Sequence, residues 1–203
     1  MTKNRSRAPW LYMLVATMAV LLLGGCAAKA PTLKPGHTPT PGKGIVLGSV
    51  MRLGYAADAW VYIQRKGQTD GFRLVALGMF KQDTPIGQYD GNKGSLFTLE
   101  LEPGEYEITN WALYYFIPGY NYFYYVVPES PEPIPFTVEA DRISYIGSFE
   151  IGDHRDTPSG HIVNAAKRDL PLFHDKYRDL SELPIQHVVP DDAAWRGIPT
   201  KQI

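Results

Sequence analysis

Residues 45–151 predict an all-β fold, a β-sandwich of about seven to eight antiparallel strands. Three observations carry that prediction. Apolar and polar residues alternate with period two over short runs, and turn residues recur about every ten positions. The runs are also rich in β-branched and aromatic side chains, which suit a pleated, half-buried surface.

Residues 45–50 and 59–64 form the first two expected strands, and Gly67 to Gly71 makes the turn into a third at 72–77. Residues 95–101 alternate cleanly, so either Leu96 or Phe97 marks the buried face. Pro103-Gly104 then turns the chain. Proline presets φ at the first corner and glycine accepts the positive φ of a type II turn at the second. The strand at 105–111 resumes period two, with Tyr106, Ile108 and Asn110 on one side. Further strands are expected at 122–127, 135–138 and 143–151.

After Gly152 the alternation stops. Residues 152–203 are expected as a loop, a short helix and a C-terminal arm packed on the sandwich. The helix lies near 169–177, with Asp169 as N-cap, Pro171 in the first turn, and Phe173, Tyr177 and Leu180 on one stripe. Three turns are marginal in isolation, so this helix should dock on the sandwich, covering a sheet edge or end. Pro184, Pro190, Gly197 and Pro199 punctuate the arm, which Ile185, Val188 and Trp195 would pin.

The N-terminus decides location. Lys3, Arg5 and Arg7 face no acid in residues 1–9, and the sixteen residues 10–25 carry no charge. This is the profile of a signal peptide. The run is shorter than the about 20 apolar residues that span a ~30 Å hydrocarbon core, and it ends in Gly24-Gly25 rather than a charge. Leu23-Gly24-Gly25-Cys26 resembles the lipobox of bacterial lipoproteins, in which the cysteine becomes an acylated N-terminus. That resemblance implies a signal peptide over 1–25 and acyl chains on Cys26, the chain's one cysteine. Each buried CH₂ contributes about 0.8 kcal/mol, so two or three chains anchor durably. Ala27 stands where an Asp would favour inner-membrane retention in enteric-type bacteria, which implies the outer membrane with the domain facing the periplasm. The alternative is an ordinary secreted protein cleaved after Ala27-Ala28-Lys29-Ala30, which would lose Cys26 with its signal.

Without residues 1–25 the chain has 178 residues, and 17 Lys and Arg (20 less Lys3, Arg5 and Arg7) face 21 Asp and Glu. The basic residues are scattered, so nothing points to nucleic acid. Residues 26–44 hold Pro31, Pro35, Pro39 and Pro41 with little to bury, and read as a Pro/Gly-rich tether.

The densest cluster of one chemistry is 111–125, where nine of fifteen residues are aromatic and Pro118-Gly119 separates two runs that would pair as a hairpin. Neighbours on a strand face opposite ways, so one aromatic set must lie away from the core. Tyr114, Tyr115, Tyr120, Tyr122 and Tyr124 are the candidates for a surface that binds an envelope protein or stacks on a glycan. The competing outcome is that the C-terminal helix or arm covers the outer set. Contact with the membrane interface is a third outcome, weakened by the long tether.

Catalytic signals are sparse. Asp153, His154 and His161 gather titratable groups that would suit a metal-dependent envelope enzyme. Their spacing matches no helical HExxH pair, so a solvated loop is the simpler reading, and His174 and His187 add nothing without geometry. Ser159 lies in no Gly-x-Ser-x-Gly elbow. Glu100 with Glu102, and Glu105 with Glu107, sit at strand spacing near a turn, which suits a solvated face better than a glycosidase pair. No glycine-rich phosphate loop opens a helix, and no cofactor is implied.

The turn Leu101-Glu102-Pro103-Gly104-Glu105-Tyr106, with Phe136-Thr137-Val138-Glu139-Ala140 and Ile143-Ser144-Tyr145-Ile146-Gly147, resembles the carboxypeptidase regulatory-like and transthyretin-like sandwiches. The resemblance spans roughly 45–151 and implies an Ig-like or prealbumin-like topology. Such domains bind, support or space, and seldom catalyse. The expected role is therefore non-enzymatic, with the membrane engaged through Cys26.

Overall fold

A computed structural model of the chain describes residues 32–54, 56–77, 85–89, 92–117, 119–120, 122–128, 132–154 and 157–188, with short strands at 28–29, 194–195 and 201–202. The expected signal peptide and Cys26 lie outside the described residues.

In chain order the strands are β1 (Ala28–Lys29), β2 (Gly44–Leu53), β3 (Asp58–Arg65), β4 (Gly71–Val75), β5 (Pro85–Tyr89), β6 (Asn92–Leu101) and β7 (Gly104–Ile117). They continue with β8 (Tyr122–Val127), β9 (Ile134–Val138), β10 (Ile143–His154), β11 (Thr157–Val163), β12 (Ile185–His187), β13 (Ala194–Trp195) and β14 (Lys201–Gln202). One helix, α1 (Ala166–Lys176), precedes a 3-10 turn at Arg178–Leu180. The first sheet runs β1-β4-β3-β7-β8-β14, with β9 also on β7. The second runs β13-β11-β10-β2-β6-β5, with β12 beside β10. All pairings are antiparallel except β1 with β4, β2 with β10, and β10 with β12. The fold is an all-β sandwich.

Two cores hold it. Val46 and Val50 of β2, Val61 and Ile63 of β3, Phe97 and Leu99 of β6, Ile108, Trp111 and Leu113 of β7, and Phe149 of β10 fill the space between the sheets. The opposite face of the second sheet carries Ile45, Leu47, Leu96 and Tyr145, and these pack on Phe173, Tyr177 and Leu180. β2 is buried along nearly its whole length because both faces are covered, which explains its nearly continuous apolar start. Complete burial of Phe173 contributes roughly 1.5–3 kcal/mol before ordering costs are subtracted. The C-terminal helix therefore covers a sheet face, not the edge or end expected of it.

Further expectations are corrected. Residues 157–163 are not loop: β10 and β11 form a long hairpin, with Phe149 opposite Ile162 and Ile151 opposite Gly160. The glycines that suggested a loop serve close approach. A Cβ on Gly160 would meet the Trp111 indole at 2.8 Å, and one on Gly152 would meet the Leu53 carbonyl oxygen.

Asp169 is not the N-cap. The helix starts at Ala166, where Asn164 Oδ1 accepts the Ala166 N–H at 3.1 Å, and Asp169 is carried inside the first turns and fully buried. Pro171 accordingly falls within the helix.

The stretch 33–42, read as tether, is docked. Leu33 N–H donates to the Thr98 carbonyl at 2.8 Å, and the Tyr177 hydroxyl donates to the Leu33 carbonyl at 2.9 Å. The Thr40 N–H and hydroxyl donate to Glu100 at 2.7 and 2.8 Å, and Gly42 N–H to Asp141 at 2.9 Å. Prolines withhold donors but leave such contacts available to the residues between them.

The phase of β7 also changes part-way. Ile63 pairs with Ile108 but Tyr62 pairs with Asn110, so Thr109 is an extra residue on β7. This bulge turns Asn110 away from the side of Tyr106 and Ile108 and brings Trp111 and Leu113 into the core. At the preceding turn Gly104 has φ +152°, not the value near +80° of a type II turn.

Candidate recognition surface

The bulge at Thr109 decides where the aromatic rings go. With Trp111 and Leu113 inward, Ala112, Tyr114 and Phe116 face outward on β7, and their partners on β8 follow: Tyr114 is opposite Tyr125, and Phe116 opposite Phe123. Tyr115 and Tyr124 are paired on the inner side, stacked at 4.8 Å with rings 6° apart, against the rim of the core.

The outward rings form one connected layer. Trp60 of β3 stacks on Tyr114 at 5.6 Å, Tyr114 stacks on Phe123 at 5.3 Å, and Phe123 meets Phe116 at 4.7 Å. Tyr125 leans on Trp60 at 5.1 Å and on Tyr114 at 5.0 Å. Two charged groups fix the Trp60 end. Asp58 Oδ2 accepts the Trp60 indole N–H at 3.0 Å, while its Oδ1 takes the backbone N–H groups of Ala59 and Leu77. The Arg73 guanidinium lies 4.3 Å above the indole ring. Burial, reinforced by the Tyr125 phenol, pushes the Tyr114 hydroxyl up, so this tyrosine stays neutral. Burial also raises Tyr62, and Arg73 opposes the rise.

Away from Trp60 the layer opens to solvent. Tyr120 is 85% exposed, Tyr122 55%, Phe123 44%, Phe116 41% and Ile117 38%, and these are all the exposed large apolar side chains among the described residues. No charged residue occurs in 108–128. β3 begins at Asp58 opposite Tyr114, and β14 meets β8 only at Val126 and Val127. Among the described residues the strand edges at 115–117 and 122–125 therefore have no neighbour beyond each other. Of the two elements weighed as cover for the rings, the helix lies on the other sheet, and the described end of the arm, β14, meets β8 at Val126 and Val127.

Of the five tyrosines singled out by sequence, Tyr120 and Tyr122 are on the accessible end. Tyr114 is buried under its neighbours, and Tyr115 and Tyr124 are half-buried against the core. Phe116, Ile117 and Phe123, which sequence reasoning passed over in favour of tyrosine, complete the surface, and Trp60 and Arg73 brace it. The run without charge at 108–128 was the signal that could have found the first three.

The other candidates are dispersed. His161 is exposed on β11, opposite Glu150 of β10, and the side chains of Asp153 and His154 lie outside the described residues. Among the described residues no three His, Cys, Asp or Glu side chains come together to hold a metal. Glu100 instead binds the docked 37–40 segment, receiving His37 Nε2 at 3.1 Å as well as Thr40. Burial pushes the Glu100 carboxyl up, but the donors from Thr40 and His37 outweigh it and hold it below the usual range.

No protein-family model, curated protein or solved structure matches the chain.

Proposed function

We propose that the chain is an outer-membrane lipoprotein, anchored by acyl chains on Cys26 and facing the periplasm, that docks a partner protein through the aromatic end of β7 and β8. Its role is binding, not catalysis. A single observation carries the reading: every exposed large apolar side chain among the described residues belongs to this one hairpin end. The likeness to prealbumin-like binding domains points the same way.

The position of the hairpin favours a partner over the anchoring bilayer. Ala28, two residues after Cys26, pairs with Phe72, which is level with Ile63. From Ile63 to Asp58 is five residue steps, and from Tyr114, opposite Asp58, to Ile117 is three more. At ~3.3 Å per step the apolar end lies roughly 25 Å along the sheet from the anchor, and two residues reach only about 7 Å back. Acyl chains at one end thus present the rings at the other. Phenylalanine and isoleucine beside tyrosine, without charge, fit an apolar concavity on a protein better than a hydroxylated glycan. Confinement to the membrane raises the effective concentration of such a contact.

The test is photocrosslinking in cells from position 120, with Asp175, whose side chain is 86% exposed on α1, as the control site. A heterologous adduct formed at 120 and absent at 175 supports the reading. Equal background at both sites, or an adduct to lipid or glycan only, overturns it.

A further inference from the structure

The face of the second sheet opposite the core holds a different feature. α1 packs on part of it and leaves a cleft of about 350 Å³ beside Arg168 and Leu172. Met51, Leu53, Ile86 and Leu172 give this cleft an apolar floor. Its polar lining comes from Arg168, Glu150 and the amide of Asn92. The volume sits at the small end of the ~300–1,000 Å³ range of ligand pockets.

Arg168 is held rigidly. Its Nε donates to Asp169 Oδ1 at 2.8 Å, and one terminal nitrogen, Nη2, donates to Ser49 Oγ at 2.9 Å and Ser148 Oγ at 2.8 Å. Asp169, Ser49 and Ser148 have no solvent exposure. The Asp169 contact alone would neutralise the buried carboxylate. The two serines additionally fix the plane of the guanidinium, and Nη1 is left with no protein acceptor among the described residues. Glu150 faces the same cleft from β10, half-buried, next to exposed His161 of β11 and to Met51 of β2. Among the described residues it makes no hydrogen bond or ion pair, and it does not reach Arg168, since the only ion pair of Arg168 is with Asp169. A fixed cation and an unpartnered carboxylate therefore line one small cleft without neutralising each other.

We propose that this cleft binds a small zwitterion with an apolar side chain, of the α-amino acid class. The ligand carboxylate takes Nη1 of Arg168, its ammonium takes Glu150, and its side chain lies on Met51, Leu53, Ile86 and Leu172. Opposite charges on one ligand bridge two protein charges that are too far apart to pair directly. The site is on the other sheet from the aromatic hairpin, so it stands or falls independently of the partner reading.

Calorimetric titration of the full chain in detergent with L-leucine, L-methionine and L-phenylalanine tests this. N-acetyl-L-leucine and L-leucinamide serve as blocked controls. At least one free amino acid should bind saturably with 1:1 stoichiometry, and blocking either end should weaken binding about tenfold or more, the scale of one charge-assisted hydrogen bond. Glu150→Gln should weaken the free amino acid to the same degree and leave the N-acetyl form unchanged, with an unaltered melting temperature. Leu172→Trp, which fills the cleft, should abolish binding. No saturable heat with any of the three up to about 10 mM overturns the proposal. So does binding indifferent to both blocking groups and to Glu150→Gln.

Discussion

The Tyr145 hydroxyl donates a 2.9 Å hydrogen bond to Oδ2 of Asp169, a carboxylate with no solvent exposure. The same oxygen takes Ser49 Oγ at 2.8 Å, and Arg168 binds the other. Strands β2 and β10 and helix α1 thus meet at one charge. Burial first, and the charge of Asp169 second, push the Tyr145 phenol up, so it stays a donor where an exposed tyrosine would ionise.

Removing parts of this cluster should have graded effects. Tyr145→Phe leaves the carboxylate with two kinds of donor and should cost about 1–3 kcal/mol. Asp169→Ala removes the acceptor of the Arg168 guanidinium, the Tyr145 hydroxyl and the buried Ser49 hydroxyl together and should cost about 3–5 kcal/mol. Urea denaturation with an unchanged slope measures both. Equal losses for the two variants would show that Asp169 is not the hub.

Gly160 packs beneath Trp111, where an added Cβ would lie 2.8 Å from Nε1 and 2.9 Å from Cδ1. Trp111 is fully buried and cannot move aside. Gly160→Ala should therefore destabilise by about 1–3 kcal/mol. Trp111→Phe removes the five-membered ring that clashes, so its cost should be smaller in the Gly160→Ala background than in the parent. Simple additivity in this double-mutant cycle would contradict the packing account.

The docked segment 37–42 should loosen in acid. The Glu100 carboxyl sits below its ordinary value in the folded chain, so it contributes stability that is fully present above the unfolded value. That contribution is lost as pH falls through the folded value. The protection of the Thr40 amide, its exchange rate relative to that of an unstructured amide at the same pH, should fall over that acidic window ahead of global unfolding, because its N–H donates to Glu100. In Glu100→Gln that protection should be low already and independent of pH. A Thr40 amide that stays protected in both would refute the link.

The sandwich was legible because its signals are local: the short β-branched apolar run at 45–50, alternation in 95–101 and a Pro-Gly turn at 103–104 report directly on strands and corners. What was misread depended on distant partners. Asp169 resembles an N-cap in sequence, since Asp favours that position. Its actual role comes from Ser49, 120 residues away. Gly152 and Gly160 look alike whether they bend a chain or admit a close neighbour, and only Leu53 and Trp111 decide which. The bulge at Thr109 leaves no mark in the alternation, yet it chooses which face of β7 carries Tyr114 and Phe116. The aromatic run could be seen in sequence, but its exposed members could not.

The apolar hairpin end should be separable from stability. Among the described residues Tyr120 makes no ring contact, and it is 85% exposed, so Tyr120→Ser should change unfolding free energy by no more than about 0.5 kcal/mol. Trp60→Ala, by contrast, removes a ring that stacks on Tyr114, meets Tyr125 at a tilt and is tied to Asp58, and should cost about 3 kcal/mol or more. If the hairpin docks a partner, Tyr120→Ser combined with Phe123→Ser should lower partner recovery after crosslinking from an unrelated interface position by tenfold or more, the scale of aromatic hot spots. That double variant should stay cooperatively folded, losing about 1–3 kcal/mol through the ring contacts of Phe123 with Tyr114 and Phe116. Full recovery of partner with a stable double variant would mean that these rings, although exposed, contribute nothing to binding, and the assignment of this surface would fail.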